Sequence, residues 1–321
     1  MRIATFNLES FGGNRLDIDE LAPRIAVLRP QLLALDADVL CLQEVNAQHS
    51  PGRDERIFAA LDRLLQDTPY ETFHRVASHR EGSDRPADRH SMVVVSRLPL
   101  DPPRSIWMQR VRPPLFLPRH SEPPAGKPQE VTLDRPILQT ALRLPENGCL
   151  HLFVVHLRAP IAAALPGAKE SAESWKSVAG WAEGLFLSAL KRTSQALELR
   201  LALEEIFEQE AEPLILVAGD FNAGTVEPAL RIVAADPEET GNPALRARRM
   251  EILDRSIPDA DRHSVLHHGR GRMLDHLIAS PALAARLREI KVMNAGLRDE
   301  ADEKGGTQGS FHAPLIAEFD L

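Results

Sequence analysis

Tyrosine occurs once and cysteine twice in 321 residues, and Phe, Trp and Tyr together make up 5% of the chain. So sparse a supply of rings argues against a platform that stacks successive single-stranded bases. The two thiols, Cys41 and Cys149, stand far apart, and neither lies in a CxxC or Cys/His spacing. That pattern disfavours a disulfide framework and a structural zinc site. Positive charge is also in deficit: 38 Lys and Arg face 46 Asp and Glu, a net charge of −8. Coating a phosphate backbone draws on clustered cations, so the balance speaks against a general polyanion binder while leaving room for an enzyme that meets phosphate through a metal ion. No apolar run reaches the roughly 18 residues of a membrane span. Met1 leads straight into a strand-like Arg2-Ile3-Ala4-Thr5-Phe6, with no basic segment ahead of an apolar one. The expectation is a cytoplasmic protein with no membrane insertion and no obligate protein partner.

What is present is ordinary globular composition, 43% hydrophobic and 26% charged, which excludes disorder and low-complexity assembly. The length suits two average domains or one layered α/β sandwich. Short apolar or alternating runs read as strands at Ile3 to Asn7, Val39 to Gln43, Met92 to Ser96, Ile137 to Leu144, Leu150 to His156, Leu214 to Ala218 and Leu274 to Ala279. Helical phase is expected from Glu55 to Gln66 and from about Ser171 to Gln209. Several strands follow one another with only a turn between, which favours two largely antiparallel sheets with helices outside over a doubly wound parallel sheet. Prolines crowd the stretch from Pro99 to Pro136. Proline lacks the N–H a central strand needs, so this reads as a loop insertion with at most a short hairpin around Ile106 to Val111.

Polar residues recur at the ends of the apolar runs. Leu214-Ile215-Leu216-Val217-Ala218 runs into Gly219-Asp220-Phe221-Asn222, where Gly219 allows a tight exit and period-two alternation would project Asp220 and Asn222 to one side. An Asx turn is the plain structural reading of such a pair. Asn7, Glu44 and His156 end three other strands in the same manner. Near the C-terminus, Asp275 and His312 could pair, a carboxylate fixing the tautomer of an imidazole and favouring its charged form.

Asn7, Gln43-Glu44, His156-Leu157, Gly219-Asp220-Phe221-Asn222, Leu274-Asp275-His276 and Ser310-Phe311-His312-Ala313-Pro314, in that order from the first strand to the last, resemble the endonuclease/exonuclease/phosphatase superfamily, whose members include deoxyribonuclease I-like nucleases. The resemblance spans essentially the whole chain. It implies a single domain over 1–321, an α/β fold built as a four-layer αββα sandwich of two mixed, largely antiparallel sheets, with the Pro-rich insertion at about 99–136. By resemblance Glu44 would hold Mg²⁺, or Mn²⁺, with Asn7 as a ligand or close by. Asp220 would align and deprotonate the attacking water, helped by Asn222. His312, oriented by Asp275, and His156 would grip phosphoryl oxygens. The activity implied is a metal-dependent phosphoric ester hydrolase, a phosphodiesterase or phosphatase, whose phosphate-ester substrate is a small molecule or a nucleic acid, with a DNA or RNA nuclease of the same superfamily as the alternative.

Two departures stand out. The family usually carries Asp before the last His, where it helps hold the metal; here that residue is Phe311, which cannot ligate Mg²⁺. Either the metal rests mainly on Glu44 with more water in its shell and weaker binding, or Asp299 or Asp302 reaches in, or activity is reduced or lost; in the last case the chain would be a non-catalytic descendant that binds phosphorylated ligands or a protein. There is also no Tyr in place to serve the site, since Tyr70 precedes the strands that would bear one. Arg89 and His90, just before the Met92 strand, are candidate substrate-binding residues. Lys191 and Arg192 read as a solvated helix face, and His263, His267 and His268 as solvated loop histidines. His276 alternates away from Asp275. Between Pro51 and His120 lie 12 Arg against 9 acids, a mildly basic rim on an acidic protein.

Overall fold

Alternation along the strands sorts the apolar side chains into three buried layers. In the computed structural model, which describes residues 1–49, 55–145, 148–302 and 308–321, β1 (Arg2–Phe11) sends Ile3 to one face and Ala4, Phe6 and Leu8 to the other. It belongs to a six-stranded sheet with β2 (Val39–Val45), β3 (His74–Ala77), β4 (Ser91–Ser96), β15 (Leu287–Val292) and β16 (Leu315–Phe319), in the order β15-β16-β1-β2-β4-β3. A second six-stranded sheet has the order β11-β14-β10-β9-β8-β5. Its strands are β5 (Arg104–Ile106), β8 (Ile137–Arg143), β9 (Cys149–His156), β10 (Leu214–Asp220), β11 (Glu251–Ile252) and β14 (Asp275–Ala279). The pairs β1/β2 and β9/β10 are parallel and the remaining pairs antiparallel, so both sheets are mixed.

Val39, Cys41, Leu152, Val154, Leu216, Ala218 and Leu277 meet between the sheets. Residues of opposite parity, including Phe153, Val155, Ile215 and Val217, pack against Leu199 and Leu203 of α3 (Val178–Gln209). On the far side, Leu40, Leu42, Val93 and Val95 pack against α1 (Ile18–Leu35) and α2 (Ala59–Leu65). The result is the αββα sandwich, because each sheet has two apolar faces and each must be covered. Burial of each such side chain contributes about 1.5–3 kcal/mol.

The long β9-to-β10 crossover starts in the wrong place for the expected helix: residues 171–177 are irregular, and α3 begins at Val178 after Ser177, whose side chain accepts from the Gly180 N–H. Likewise α2 spans only Ala59–Leu65. The Pro-rich insertion departs further from expectation. Arg104–Ile106 extends the second sheet by pairing with β8, and the hairpin is a two-residue ribbon of β6 (Leu115–Phe116) with β7 (Gln129–Glu130), not Ile106 to Val111. At Arg110 and Val111 the backbone N–H groups donate instead to the carboxylate of Glu198 on α3, which is fully buried, and the Arg110 guanidinium spans Glu198 and Glu205. The insertion is thus strapped to α3. Among the described residues no helix is long and apolar enough to cross a membrane, and both cysteines are free.

Gly219 lies within β10, between Val155 of β9 and His276 of β14, so it does not serve the strand's exit. Its φ of 142° and the 2.0 Å that would separate an added Cβ from the Val155 carbonyl oxygen leave no room for a side chain. Gly219→Ala is expected to cost about 3 kcal/mol, the upper range for overpacking, read as a shift in urea midpoint at unchanged slope.

Candidate active site

Even-numbered residues of β9 and β10 face the space between the sheets, and in β14 the odd ones do. The same parity brings His156, Asp220 and Asp275 inward at adjoining strand ends: Asp220 pairs with His156 on one side and Asp275 on the other. From the first sheet, Asn7 has the inward parity of Ile3. Glu44 does not; parity would send it outward with Leu40 and Leu42. The strand slips register between Leu42 and Val45, and Glu44 takes a left-handed φ of 59°. Such a bulge re-aims a side chain, and here it turns Glu44 toward Asn7 and His156. β1 is irregular at the same level, between Asn7 and Phe11, which presents the Ser10 N–H to Glu44 Oε2 at 2.8 Å.

Four side chains converge on one atom, Asp220 Oδ2. Asn7 Nδ2 donates to it at 3.1 Å and Asn222 Nδ2 at 3.0 Å, while His156 Nε2 lies at 3.4 Å and His312 Nε2 at 3.9 Å. Asn222 stands beyond β10 at φ 49°, so period two does not relate it to Asp220; an Asx turn does, with the Asn222 N–H donating to Asp220 Oδ1 at 2.8 Å. His312 Nδ1 is 2.7 Å from Asp275 Oδ2. Burial alone would lower the His312 pKa, but the charges of Asp275 and Asp220 outweigh it and raise it to about 10. Its Nε2–H is therefore occupied by a proton and, at 3.9 Å from Asp220, free to meet an incoming anion. Burial, then the Asp275 charge, pushes the Asp220 carboxyl up. Burial also opposes ionisation of Glu44, yet His90, His156 and Arg135 hold its pKa well below the usual carboxylate range.

Asn7 turns its amide nitrogen toward Glu44 and Asp220, and its oxygen accepts from the Glu9 N–H at 3.0 Å. His90 Nδ1 is 3.1 Å from Glu44 Oε2, and exposed Arg89 lines a cleft of about 660 Å³ beside the site, together with Ser10, Asn46, Arg15 and Arg24. Lys191 and Arg192 are not a solvated face: Lys191 pairs with Asp134, and Arg192 with Glu227 at 3.5 Å. Tyr70 sits in the core, its hydroxyl donating to Leu32 O and accepting from the Ala37 N–H.

A family model, "Endonuclease/Exonuclease/phosphatase family", matches residues 4–292. The chain belongs to this family. Among solved structures it is similar to an endonuclease/exonuclease/phosphatase from Beutenbergia cavernae (21% identity, 98% of this chain and 70% of that one, TM-score 0.53). It is also similar to an AP endonuclease from Archaeoglobus fulgidus (17%, all of both chains, 0.51) and to the 3' phosphatase NExo from Neisseria, solved with a product DNA hairpin (18%, all of both chains, 0.52). No curated protein matches the sequence.

For a member of the endonuclease/exonuclease/phosphatase family, the unexpected cation is Arg135, which no motif marked. It precedes Pro136, the residue before β8, and one of its terminal nitrogens contacts His156 Nδ1. A guanidinium is only a donor, so Nδ1 must be the acceptor and Nε2 must carry the proton, aimed at Asp220 and at Glu44 Oε1, 3.6 Å away. Burial and then Arg135 push the His156 pKa well below its ordinary value, so the ring is neutral. Arg135→Gln is expected to raise that pKa, seen as a His156 ring-proton titration moving to higher pH by NMR. Asp299 does not reach the site: its carboxylate accepts from the His268, Gly269 and Ala301 N–H groups. Asp302 is exposed, and Phe311 is buried.

Proposed function

We propose that the protein is a divalent-metal-dependent phosphoric ester hydrolase, and the observation that carries this reading is the convergence of Asn7, Asn222, His156 and His312 on Asp220 Oδ2. The donor set suits a hard cation. Asp275 Oδ1 is buried with no hydrogen-bond partner, Glu44 holds its charge, and the ligand atoms of Asp220, Asp275 and His312 lie within 4.8 Å of one another. Since His312 Nδ1 is committed to Asp275, Glu44 is the residue that would hold Mg²⁺ or Mn²⁺, with Asn7 beside it. When bound, the ion offsets the charge of a phosphate oxygen and strengthens its phosphorus as an electrophile.

The chain's own groups divide the remaining work. Asp220 receives the proton of the attacking water, its raised affinity for a proton matching that task. Asn7 and Asn222 hold the carboxylate in place. The charged His312 donates through Nε2 to a phosphoryl oxygen, neutral His156 donates through Nε2 to another, and Asp275 steadies His312 as charge accumulates. Arg89 and His90 stand where the rest of the substrate approaches. A panel comprising a chromogenic phosphodiester, a phosphomonoester, plasmid DNA and single-stranded RNA, each with Mg²⁺ or Mn²⁺, tests the proposal. Turnover of a small ester supports the hydrolase reading, and preferential cleavage of DNA or RNA selects the nuclease. No turnover of any substrate contradicts it.

A further inference from the structure

The N-terminal half of α3 has no sheet beneath it. The helix joins the buried layer of the second sheet only from Ala196 onward. Lys191 and Arg192 pair with Asp134, which adjoins Arg135, and with Glu227, which follows the Asn222 turn, so they mark the level of the site. Val178 to Leu190, about 20 Å of helix, therefore overhang the site end of the sandwich. The overhang is braced. Glu183 accepts from the Arg119 and His120 N–H groups, each at 3.0 Å, and the Phe116 and Phe186 rings meet with centroids 5.5 Å apart. Ser188 Oγ donates to Ile161 O at 2.6 Å, and the Ala163 N–H to Gly184 O at 2.9 Å. Even so, its outer face is apolar and bare: Val178 is 80% exposed, Ile161 68%, Leu115 66%, Phe186 54% and Trp181 43%. A contiguous apolar face of this kind on a rigid protrusion marks a contact surface.

The charge around it selects the partner. Leu115-Phe116-Leu117 lies between Arg112 and Arg119, and from Arg112 to Glu130 there are three cations against two acids, on a chain of net charge −8. Arg112, Arg119 and Lys127 are exposed, and among the described residues their side chains form no ion pair, whereas Glu122 is held by Lys176. Unpaired cations beside exposed Trp, Phe and Leu side chains suit an anionic bilayer surface, with the apolar groups among the headgroups and the cations against their charge. We propose that the α3 overhang and the β6/β7 ribbon form a docking surface for an anionic lipid bilayer. The protein rests on that bilayer without spanning it, the site end of the sandwich toward the headgroups. The inference goes beyond the hydrolase reading and does not depend on turnover.

Cosedimentation with vesicles of phosphatidylcholine and phosphatidylserine, against vesicles of phosphatidylcholine alone, tests it. The natural protein is expected to sediment with the mixed vesicles, less with the neutral ones, and to be released by high salt. Val178→Ser/Trp181→Ser is expected to lower the partition coefficient by about tenfold or more, with an unchanged melting temperature. Arg112→Gln/Arg119→Gln is expected to weaken binding to the mixed vesicles. Should the helix variant fold poorly, Leu115→Ser on the ribbon must still bind more weakly than the natural protein. Asp220→Asn is expected to sediment as the natural protein does, which separates this inference from the assignment of the base. A natural protein that stays in the supernatant with both vesicle types overturns the inference, as do variants of the face that sediment as it does. Capture of a single-stranded oligonucleotide, or dimerisation, that is lost in Val178→Ser/Trp181→Ser while vesicles go unbound assigns the face to another partner and overturns it too.

Discussion

Asp220→Asn is expected to lower kcat on a phosphodiester by about 10²–10⁴-fold, the range a positioned general base contributes, while the protein stays folded. The amide keeps the shape of the carboxyl and can still accept the Asn222 N–H that now donates to Oδ1. It cannot take a proton from water. Burial and the Asp275 charge raise the Asp220 pKa to about 7, so activity rises with pH as this group ionises. A bound cation favours the carboxylate and moves that limb to lower pH. The limb should vanish in Asp220→Asn. A pH–rate profile of both proteins at saturating Mg²⁺ checks this, and a variant that retains more than a tenth of the natural kcat contradicts the assignment of the base.

The second large effect concerns stability. His276 and Asp254 are fully buried, with His276 Nδ1 3.0 Å from Asp254 Oδ2 and Nε2 2.9 Å from the carbonyl of Ala223. Those contacts tie the turn after Asp220 to the 3₁₀ turn Leu253–Ser256 behind β14. His276→Ala leaves Asp254 buried without its partner and is expected to cost about 3–5 kcal/mol. Replacing both by Leu should cost much less than the sum of the two single changes, since a buried pair exchanged for apolar volume is often near neutral. The sign with pH follows from the shift. Burial would lower the His276 pKa, but Asp254 and the Ala223 carbonyl outweigh it and raise it above 6.5. Its contribution is thus fully present below about 6.5, the unfolded value, and declines as pH climbs through the folded pKa. Urea unfolding of the natural protein and His276→Ala across this range should show the gap narrowing at alkaline pH.

Strand parity made much of the site legible. His156, Asp220 and Asp275 follow from alternation because regular strands carry them, and His276 does point away from Asp275, into its own buried contacts. Parity fails at Glu44, where a bulge reverses the direction of a side chain that strand-end position alone had marked. Asn222 reached the site by a turn, not by alternation. Arg135 left no mark because its partner comes from another strand: it lies 21 residues from the His156 ring it contacts. α1 carries Pro23 and Pro30 in its interior, which mask its helical character. Its Asp17 N-cap, accepting from the Asp19 and Glu20 N–H groups, was the available signal. The hairpin in the insertion was misplaced because Glu198, from a distant helix, satisfies the Arg110 and Val111 N–H groups that a strand would otherwise need to pair.

The hydrolysis rate of a chromogenic phosphodiester as a function of Mg²⁺ concentration tests the central claim most directly, measured for the natural protein, Glu44→Ala and Asp220→Asn. The site described here predicts saturable, chelator-sensitive turnover in the natural protein. It further predicts a half-saturating Mg²⁺ concentration raised by Glu44→Ala, and a rate depressed at every Mg²⁺ concentration by Asp220→Asn. Turnover that persists in chelator, or that both substitutions leave unchanged, would contradict it.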